Sequence, residues 1–294
     1  MNQWMPSSGV FQNIVCPVDF SDCSAAGLRY AAAVARCQNA RLAVIYADHF
    51  SVPRYFTQSQ VTQLAEQAKQ WRAGAKTSLE EFIRSTVATE LAETEACVLE
   101  DSPIAAILDT VSSVHANLIV MGTHGRSGVN RLLLGSVAEG VLRVAKIPLL
   151  AVRTGLSQIA IPARRVLCPV NDSPEARRAL DLATLVAGCF GASVTVLHVR
   201  QPQRPGSIPD LHSWIPDAQR VRCPINEVTR EGDAPLVIVT AASESNYDLV
   251  VIGARHHRFL DLAVLGTTTE RVVRHSPCPV MAVPIEDLEM FSRA

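Results

Sequence analysis

The sequence predicts an α/β protein built from two tandem, doubly wound domains, each with helices on both faces of a five-stranded, mainly parallel sheet. Short apolar runs alternate with helical patterns along the chain, which is typical of parallel strands connected by helices. The run around Cys16 returns around Cys168, 152 residues later. The length of 294 residues is enough for two domains of ~150 residues each.

The duplication rests on three landmarks that return in the same order. The matching pairs are 14–21 with 166–173, 117–122 with 247–253, and 147–152 with 278–283. A period this long is typical of whole duplicated domains, because solenoid repeats are much shorter. We therefore expect a first domain over residues 1–155 and a second over 164–294, joined by a short linker.

The first domain contains five apolar runs that predict buried strands. These runs are 13–18, 42–47, 94–99, 118–122 and 148–152. A first helix begins near Ser21 or Ser24, whose hydroxyls can cap free amides. A long second helix covers 55–89, a third begins at Pro103, and a fourth covers 136–144. The alternation predicts a parallel sheet with helices on both faces.

The second domain keeps the strands but not every helix. Its predicted strands are 165–170, 193–199, 220–229, 248–253 and 279–283. Between its second and third strands, residues 201–218 include four prolines, which predict a loop in place of the long second helix. We expect that side of the sheet to pack on the first domain or on another chain.

Composition excludes several classes of function. The net charge is -1, with 48% hydrophobic and 19% charged residues, so nucleic acid is not an expected partner. The longest uncharged apolar stretch, 182–197, is interrupted by glycines and hydroxyl residues and predicts no membrane span. Residues 1–10 lack a basic residue and an apolar core, so we expect no secretory signal and a cytoplasmic location.

The eight cysteines form no Cys-x-x-Cys motif and no metal-binding spacing with histidine. We interpret most of them as small core residues, with Cys16, Cys97 and Cys168 as buried thiols in apolar strands. Metal binding or redox chemistry is the alternative interpretation.

A glycine-rich segment between the fourth strand and the fourth helix carries the clearest functional pattern. Gly122 and Gly125 are followed by nine residues and then by Gly135 and Ser136. Glycines there let the backbone approach a ligand, and a helix start presents free amides and a capping hydroxyl to an anion. Arg126 adds charge from inside the loop. The alternative is an ordinary strand-to-helix turn, in which glycines are common.

This spacing, preceded by Met121 and combined with the run at 16–21, resembles the ATP-binding pattern of the universal stress protein family. The resemblance implies a Rossmann-like, adenine nucleotide alpha hydrolase-like fold that binds ATP, with Mg²⁺ as a companion ion. The first strand end would contact adenine and ribose, and the loop would hold the phosphates. The residues that the resemblance implies are Pro17, Val18, Asp19, Ala47, Met121, Gly122, Gly125, Gly135, Ser136 and Val137. Arg126 joins them as the charged residue of the loop.

The position of Asp19 indicates a binding role independently of the family resemblance. A carboxylate at the carboxyl end of a strand can accept hydrogen bonds from ribose hydroxyls or hold Mg²⁺ near phosphates. The alternative is that Asp19 caps the helix that begins near Ser21.

The second domain departs from the pattern at two positions. His256 replaces the middle glycine, and Asn171 stands where the first domain has Asp19. A side chain at that glycine position hinders positive φ and fills the space for phosphate. We favour loss of nucleotide binding in this domain. The alternative is recognition of a different anion by Arg255, His256, His257 and Arg258.

No catalytic motif accompanies the loop. The sequence lacks a P-loop, a Ser-Gly-Gly loop, a His-x-Gly-His pattern and a Gly-x-Ser-x-Gly elbow. An enzymatic role is therefore undecided and is at most slow ATP hydrolysis. The hypotheses are a nucleotide-binding regulator of stress responses, an interaction scaffold, and a slow enzyme that hydrolyses ATP or transfers AMP.

The closing strands of the two domains bear on assembly. Strands at 148–152 and 279–283 would be sheet edges, which favour pairing. The family resemblance implies that such strands pair around a pseudo-twofold axis. The partner is either the other domain, giving an internal pseudo-dimer, or a second chain, giving a homodimer.

Overall fold

The computed structural model of this protein describes most of the chain in eight segments. These are residues 10–47, 58–87, 94–124, 134–153, 161–200, 215, 217–259 and 262–285. Residues 10–153 are called the first half below, and residues 161–285 the second half.

The first half alternates strands and helices in the predicted order. Its elements are β1 (Asn13–Pro17), α1 (Asp22–Gln38), β2 (Arg41–Ala47), α2 (Gln58–Thr86), β3 (Thr94–Leu99), α3 (Pro103–Ser113), β4 (Leu118–Gly122), α4 (Ser136–Val144) and β5 (Leu149–Val152). The predicted ends of the second helix, at 55–57 and 88–89, lie outside the described residues.

Within the described residues, the second half repeats this order, with a six-residue helix between its second and third strands and a hairpin before its last helix. Its elements are β6 (Arg165–Val170), α5 (Pro174–Phe190), β7 (Ser193–Arg200), α6 (Asp217–Arg222), β8 (Ile225–Glu231), α7 (Ala234–Glu244), β9 (Leu249–Ala254), β10 (His256–Phe259), β11 (Leu262–Leu265), α8 (Thr267–His275) and β12 (Val280–Pro284).

The prediction for the segment between β7 and β8 needs one correction. The predicted strand at 220–229 starts too early, because its first residues belong to the six-residue helix α6. Pro224 disfavours helical geometry at the residue before it, so the helix ends there and the strand begins at Ile225. Most of the predicted loop at 201–218 lies outside the described residues.

Ten strands form one continuous sheet in the order β3-β2-β1-β4-β5-β12-β9-β6-β7-β8. Pairing is parallel within each half, and β5 and β12 pair antiparallel with Leu150 opposite Met281. We call this β5–β12 pairing the seam. The doubly wound α/β fold is thus confirmed, and the seam joins the halves as an internal pseudo-dimer.

Apolar residues alternate between the two faces of the sheet, which gives two cores. Leu28 of α1 and Leu79 of α2 pack into the core that α5 also covers. Ile107 of α3 and Val141 of α4 pack into the opposite core, which α7 and α8 share. Within the described residues, no helix combines the length and the apolar character that a membrane span requires.

The cysteine interpretation holds only in part. The described thiols at positions 16, 23, 168, 223 and 278 are buried, but Cys97 is only half-buried. Cys37 and Cys189 form a disulfide between the last turns of α1 and α5, which the sequence interpretation did not anticipate.

Candidate functional site

The predicted site residues of the first half converge at the carboxyl ends of three neighbouring strands. β1 lies between β2 and β4, so the chain changes direction across the sheet between β1 and β4. Ligands of open α/β sheets bind at such a switch point. Pro17 and Ala47 close β1 and β2, and Gly122 closes β4. Gly125 and Arg126 lie outside the described residues.

Backbone hydrogen bonds fix these strand ends to their neighbours. The Val18 amide donates to the Ile45 carbonyl at 2.9 Å, and the Thr123 amide donates to the Val152 carbonyl at 2.8 Å. Val18 and Met121 are buried, at 5% and 4% exposure. The floor of the candidate site is therefore as rigid as the sheet itself.

Asp19 lies just beyond β1 and is held by the start of α1. Its Oδ1 accepts from the Ser21 amide at 3.1 Å and from the Ser21 hydroxyl at 2.6 Å. Ser21, rather than Ser24, is the N-cap of α1. Asp19 is therefore not the cap that the alternative interpretation expected but accepts from the capping residue, and these contacts fix its carboxylate beside the switch point.

The second half keeps this cap without the charge. Asn171 Oδ1 accepts from the Ser173 hydroxyl at 2.7 Å, and Ser173 caps α5. Asn171 therefore keeps the hydroxyl contact of the cap and removes the carboxylate, and the Ser173 amide donates to the Asn171 carbonyl instead of to its side chain.

Phe20 is a feature that the sequence interpretation missed. It adopts φ 64°, a conformation uncommon for a residue with a large side chain. Its ring centroid lies 4.7 Å from that of Tyr46 and 5.4 Å from that of Phe82 in α2. The aromatic cluster holds α2 against the ends of β1 and β2. Asp172 stands at the equivalent position in the second half, whose described part contains no counterpart of α2.

Helix packing, without any ligand, explains why position 122 is a glycine. A Cβ at Gly122 would lie 2.9 Å from the Cys23 carbonyl carbon and 3.0 Å from the Ser24 amide nitrogen. A Cβ at Gly253 would lie 2.7 Å from the carbonyl carbon of Glu175. In both halves the first helix packs directly on the end of the fourth strand, β4 or β9. The glycine is thus required by helix packing, and its presence alone does not indicate a ligand.

Thr123 and Gly135 close the two ends of the glycine-rich loop of the first half. The Gly135 amide donates to the Thr123 carbonyl at 2.7 Å, and Thr123 is buried at 1% exposure. A Cβ at Gly135 would lie 2.9 Å from that carbonyl oxygen, so only glycine fits there. Thr123 was absent from the sequence prediction, because a threonine between two motif residues gives no distinctive signal.

The start of α4 corrects one detail of the prediction. Gly135 is the N-cap and Ser136 is the first helical residue, so the Ser136 hydroxyl is not at the cap position. The cap makes no side-chain hydrogen bond. The first-turn amides, which include those of Ser136 and Val137, therefore have no side-chain cap and carry the positive end of the helix dipole toward the loop.

The corresponding segment of the second half contains a hairpin. β10 and β11 pair antiparallel, with His256 opposite Leu265 and Phe259 opposite Leu262. The backbone groups of this hairpin bond to each other across the ladder, so they are not available as a phosphate cradle. The Gly266 amide donates to the Arg255 carbonyl at 2.9 Å, which closes the loop one residue later than in the first half.

An ion pair lies beside the end of β9 and the start of α5 in the second half. Arg255 Nε lies 3.2 Å from Glu175 Oε1, and the Glu175 side chain is 13% exposed. Burial acts to raise the pKa of Glu175, but a backbone hydrogen bond at the start of α5 and Arg255 hold it below its ordinary value. The equivalent positions of the first half are Cys23 and His124, which cannot form such a pair.

The described residues contain no group of three or more His, Cys, Asp or Glu side chains arranged to hold a metal ion. A cavity of about 600 Å³ opens at the opposite end of the sheet, beside Asn13, Arg41 and Thr94, and includes none of the predicted site residues.

Comparison with known proteins matches both halves to one family. The model of the universal stress protein family matches residues 11–153 and 162–284. A universal stress protein of Methanocaldococcus jannaschii is 30% identical over 148 residues, covering 49% of this chain and 83% of its own. One of Thermus aquaticus is 32% identical over 148 residues, covering 49% of this chain and all of its own.

A solved structure matches the whole two-domain arrangement. The crystal structure of a universal stress protein from Archaeoglobus fulgidus aligns with a TM-score of 0.71 over 92% of this chain and 98% of its own. Its identity to this chain is 22%, so the match establishes the shared fold.

Proposed function

This chain belongs to the universal stress protein family through both of its halves, and on that premise we propose that it is a regulatory adenine-nucleotide-binding protein with one working site, in the first half. The observation that carries the proposal is the carboxylate of Asp19, fixed by Ser21 where the ends of β1 and β4 converge with the uncapped start of α4 at one switch point. The proposed ligand is ATP, and the proposed compartment is the cytoplasm.

The chain's own groups suit the parts of a nucleotide. Val18 and Met121 offer apolar surface to the base, and Ala47 at the end of β2 leaves room beside it. The first-turn amides of α4 point their dipole toward the phosphates, as anion sites at helix starts do. Gly125 and Arg126 complete the loop in sequence, and their contacts with the phosphates are part of the proposal.

Asp19 is proposed to recognise the sugar or the companion ion. A carboxylate fixed by Ser21 at the switch point can accept hydrogen bonds from ribose hydroxyls without losing its cap. Mg²⁺, when bound, would neutralise phosphate charge, and Asp19 is the side chain that would hold it.

The second half supports the proposal by contrast. It lacks the carboxylate at position 171, uses its loop backbone in a hairpin, and has the Arg255–Glu175 ion pair beside the end of β9. Each change removes one element that phosphate or ribose binding needs. We therefore propose one nucleotide per chain and a structural role for the second half.

Isothermal titration of the full chain with ATP and Mg²⁺ tests the proposal directly. We expect one site per chain, lost in Gly125→Asp and retained in the matched second-half variant His256→Asp. Two sites would overturn the assignment of the second half. No binding would favour an interaction scaffold. A phosphate-release assay on the same samples separates regulation from turnover, and release at several per second would make the protein an enzyme instead.

A further inference from the structure

We propose that Cys37 and Cys189 form a reversible redox site that cross-links the two halves of the chain. The cross-link joins the last turn of α1 to the last turn of α5. This proposal is independent of nucleotide binding.

The first argument is symmetry. Cys37 and Cys189 are 152 residues apart, which equals the offset between Cys16 and Cys168 in the repeat. On a twofold axis a residue meets its own equivalent. Leu150 and Met281, which face each other across the seam, are also equivalent residues of the two halves. The axis therefore passes through both pairs, and the duplication itself brings the two thiols together.

The second argument is geometry. The Cα atoms of Cys37 and Cys189 are 6.1 Å apart, within the range of about 4.4–6.8 Å that disulfides require. Helices α1 and α5 also contact each other directly. Bond formation therefore needs no rearrangement of the two halves.

The third argument is access. Cys37 is exposed and Cys189 is half-buried, so solvent oxidants and reductants can reach the pair. Burial raises the pKa of Cys16 and Cys168 well above the ordinary range of a thiol, and it raises that of Cys278 to about 11. Such thiols stay protonated and unreactive. The reactive pair is thus separated from the buried thiols by exposure.

The chemistry balances with hydrogen peroxide as the oxidant. The more exposed Cys37 thiolate attacks the peroxide and breaks its O–O bond, which yields a sulfenic acid and, after protonation, one water. The Cys189 thiol then displaces the sulfenic oxygen as a second water and forms the disulfide. Two electrons pass from the thiols to the peroxide. A dithiol reverses the step by exchange, since exposed disulfides are the labile ones.

Thiol counting on the native full chain tests the proposal. The reduced protein should titrate eight thiols in denaturant, and treatment with hydrogen peroxide should remove two, which peptide mass spectrometry should assign to Cys37 and Cys189. The oxidised form should melt about 5–10 °C higher, because the link closes a long loop in the unfolded chain. Treatment of the folded protein with a dithiol should restore both thiols.

The control variants decide between outcomes. Cys37→Ser should lose the peroxide response, whereas Cys97→Ser, which removes another half-buried thiol, should keep it. An unchanged thiol count, cross-links between chains, or a bond that dithiol cannot reduce in the folded protein would each overturn the proposal.

Discussion

The two halves keep the same glycine at the end of their fourth strand, β4 or β9, and differ in the side chains around it. Gly122 and Gly253 both have helix backbone at the place where a Cβ would lie. Both α4 and α8 begin at a glycine N-cap that makes no side-chain hydrogen bond, but the Arg255–Glu175 ion pair of the second half has His124 and Cys23 at the equivalent positions of the first half. The comparison separates residues that the fold requires from residues that a ligand requires.

The largest expected effect tests the part that the halves share. Gly122→Ala and Gly253→Ala should each lower the free energy of unfolding by about 2–3 kcal/mol, because a Cβ would overlap helix backbone. Urea unfolding measures the change. Gly74→Ala is the matched control, since nothing lies within 4 Å of its Cβ and alanine favours a helix. Equal stability of all three variants would contradict this reading of the strand-end glycines.

The next effect tests what the halves do not share. Asp19→Asn should weaken ATP binding by about 10- to 100-fold, the value of one charge-assisted contact. It should change the unfolding free energy by less than about 1 kcal/mol, because Asn171 makes the same contact with Ser173. Titration calorimetry and urea unfolding measure the two quantities.

The reciprocal variant sharpens that result. Asn171→Asp restores the carboxylate in the second half but not the loop, so it should create no second nucleotide site. A gain of a second site would show that the charge alone separates the halves.

A smaller effect concerns the contact between the halves. Glu139 pairs with Arg143 on its own helix and with Arg274 across the seam. Glu139→Gln should lower the unfolding free energy by about 0.5–1 kcal/mol, and less at high salt, since such partly exposed pairs are screened. Urea unfolding at two salt concentrations checks this. Glu231→Gln, which breaks an exposed pair within the second half, should produce no measurable change.

The smallest effect is a pH dependence confined to the second half. Because the pKa of Glu175 is lowered in the folded protein, its contribution to stability is present above the ordinary carboxyl value of 4.5 and is lost as pH falls through the lowered value. Glu175→Gln should therefore lower stability by about 0.5 kcal/mol at neutral pH and by less near pH 4. Unfolding curves at both pH values measure the difference, and an equal loss at both would remove the ion pair as its cause.

The fold could be predicted from the sequence because apolar runs and their repetition depend on local patterns. The strand that begins at Ile225 was misplaced because Arg220 and Val221 continue an apolar and polar pattern that either element accepts. The strained turn at Phe20 could not be predicted, since it depends on packing against Phe82 in a distant helix.

The positions of the site residues could be predicted from the sequence, but the packing contacts that require those residues could not. Gly122 was placed correctly at a strand end, yet the close approach of α1 that requires it has no local signal. The Cys37–Cys189 pair did have a signal, because its spacing equals the repeat offset. The spacing predicts a contact only if the two copies are related by a twofold axis, because equivalent residues then meet on that axis.

The seam also has an evolutionary consequence. When two identical chains assemble through their closing strands, every mutation appears twice and assembly depends on concentration. Here the partner strand is tethered in the same polypeptide, so assembly is unimolecular and each copy can change alone. The Arg255–Glu175 ion pair, with His124 and Cys23 at the equivalent positions, is such a one-sided change. Covalent fusion thus allows one copy to change while the other keeps its own residues.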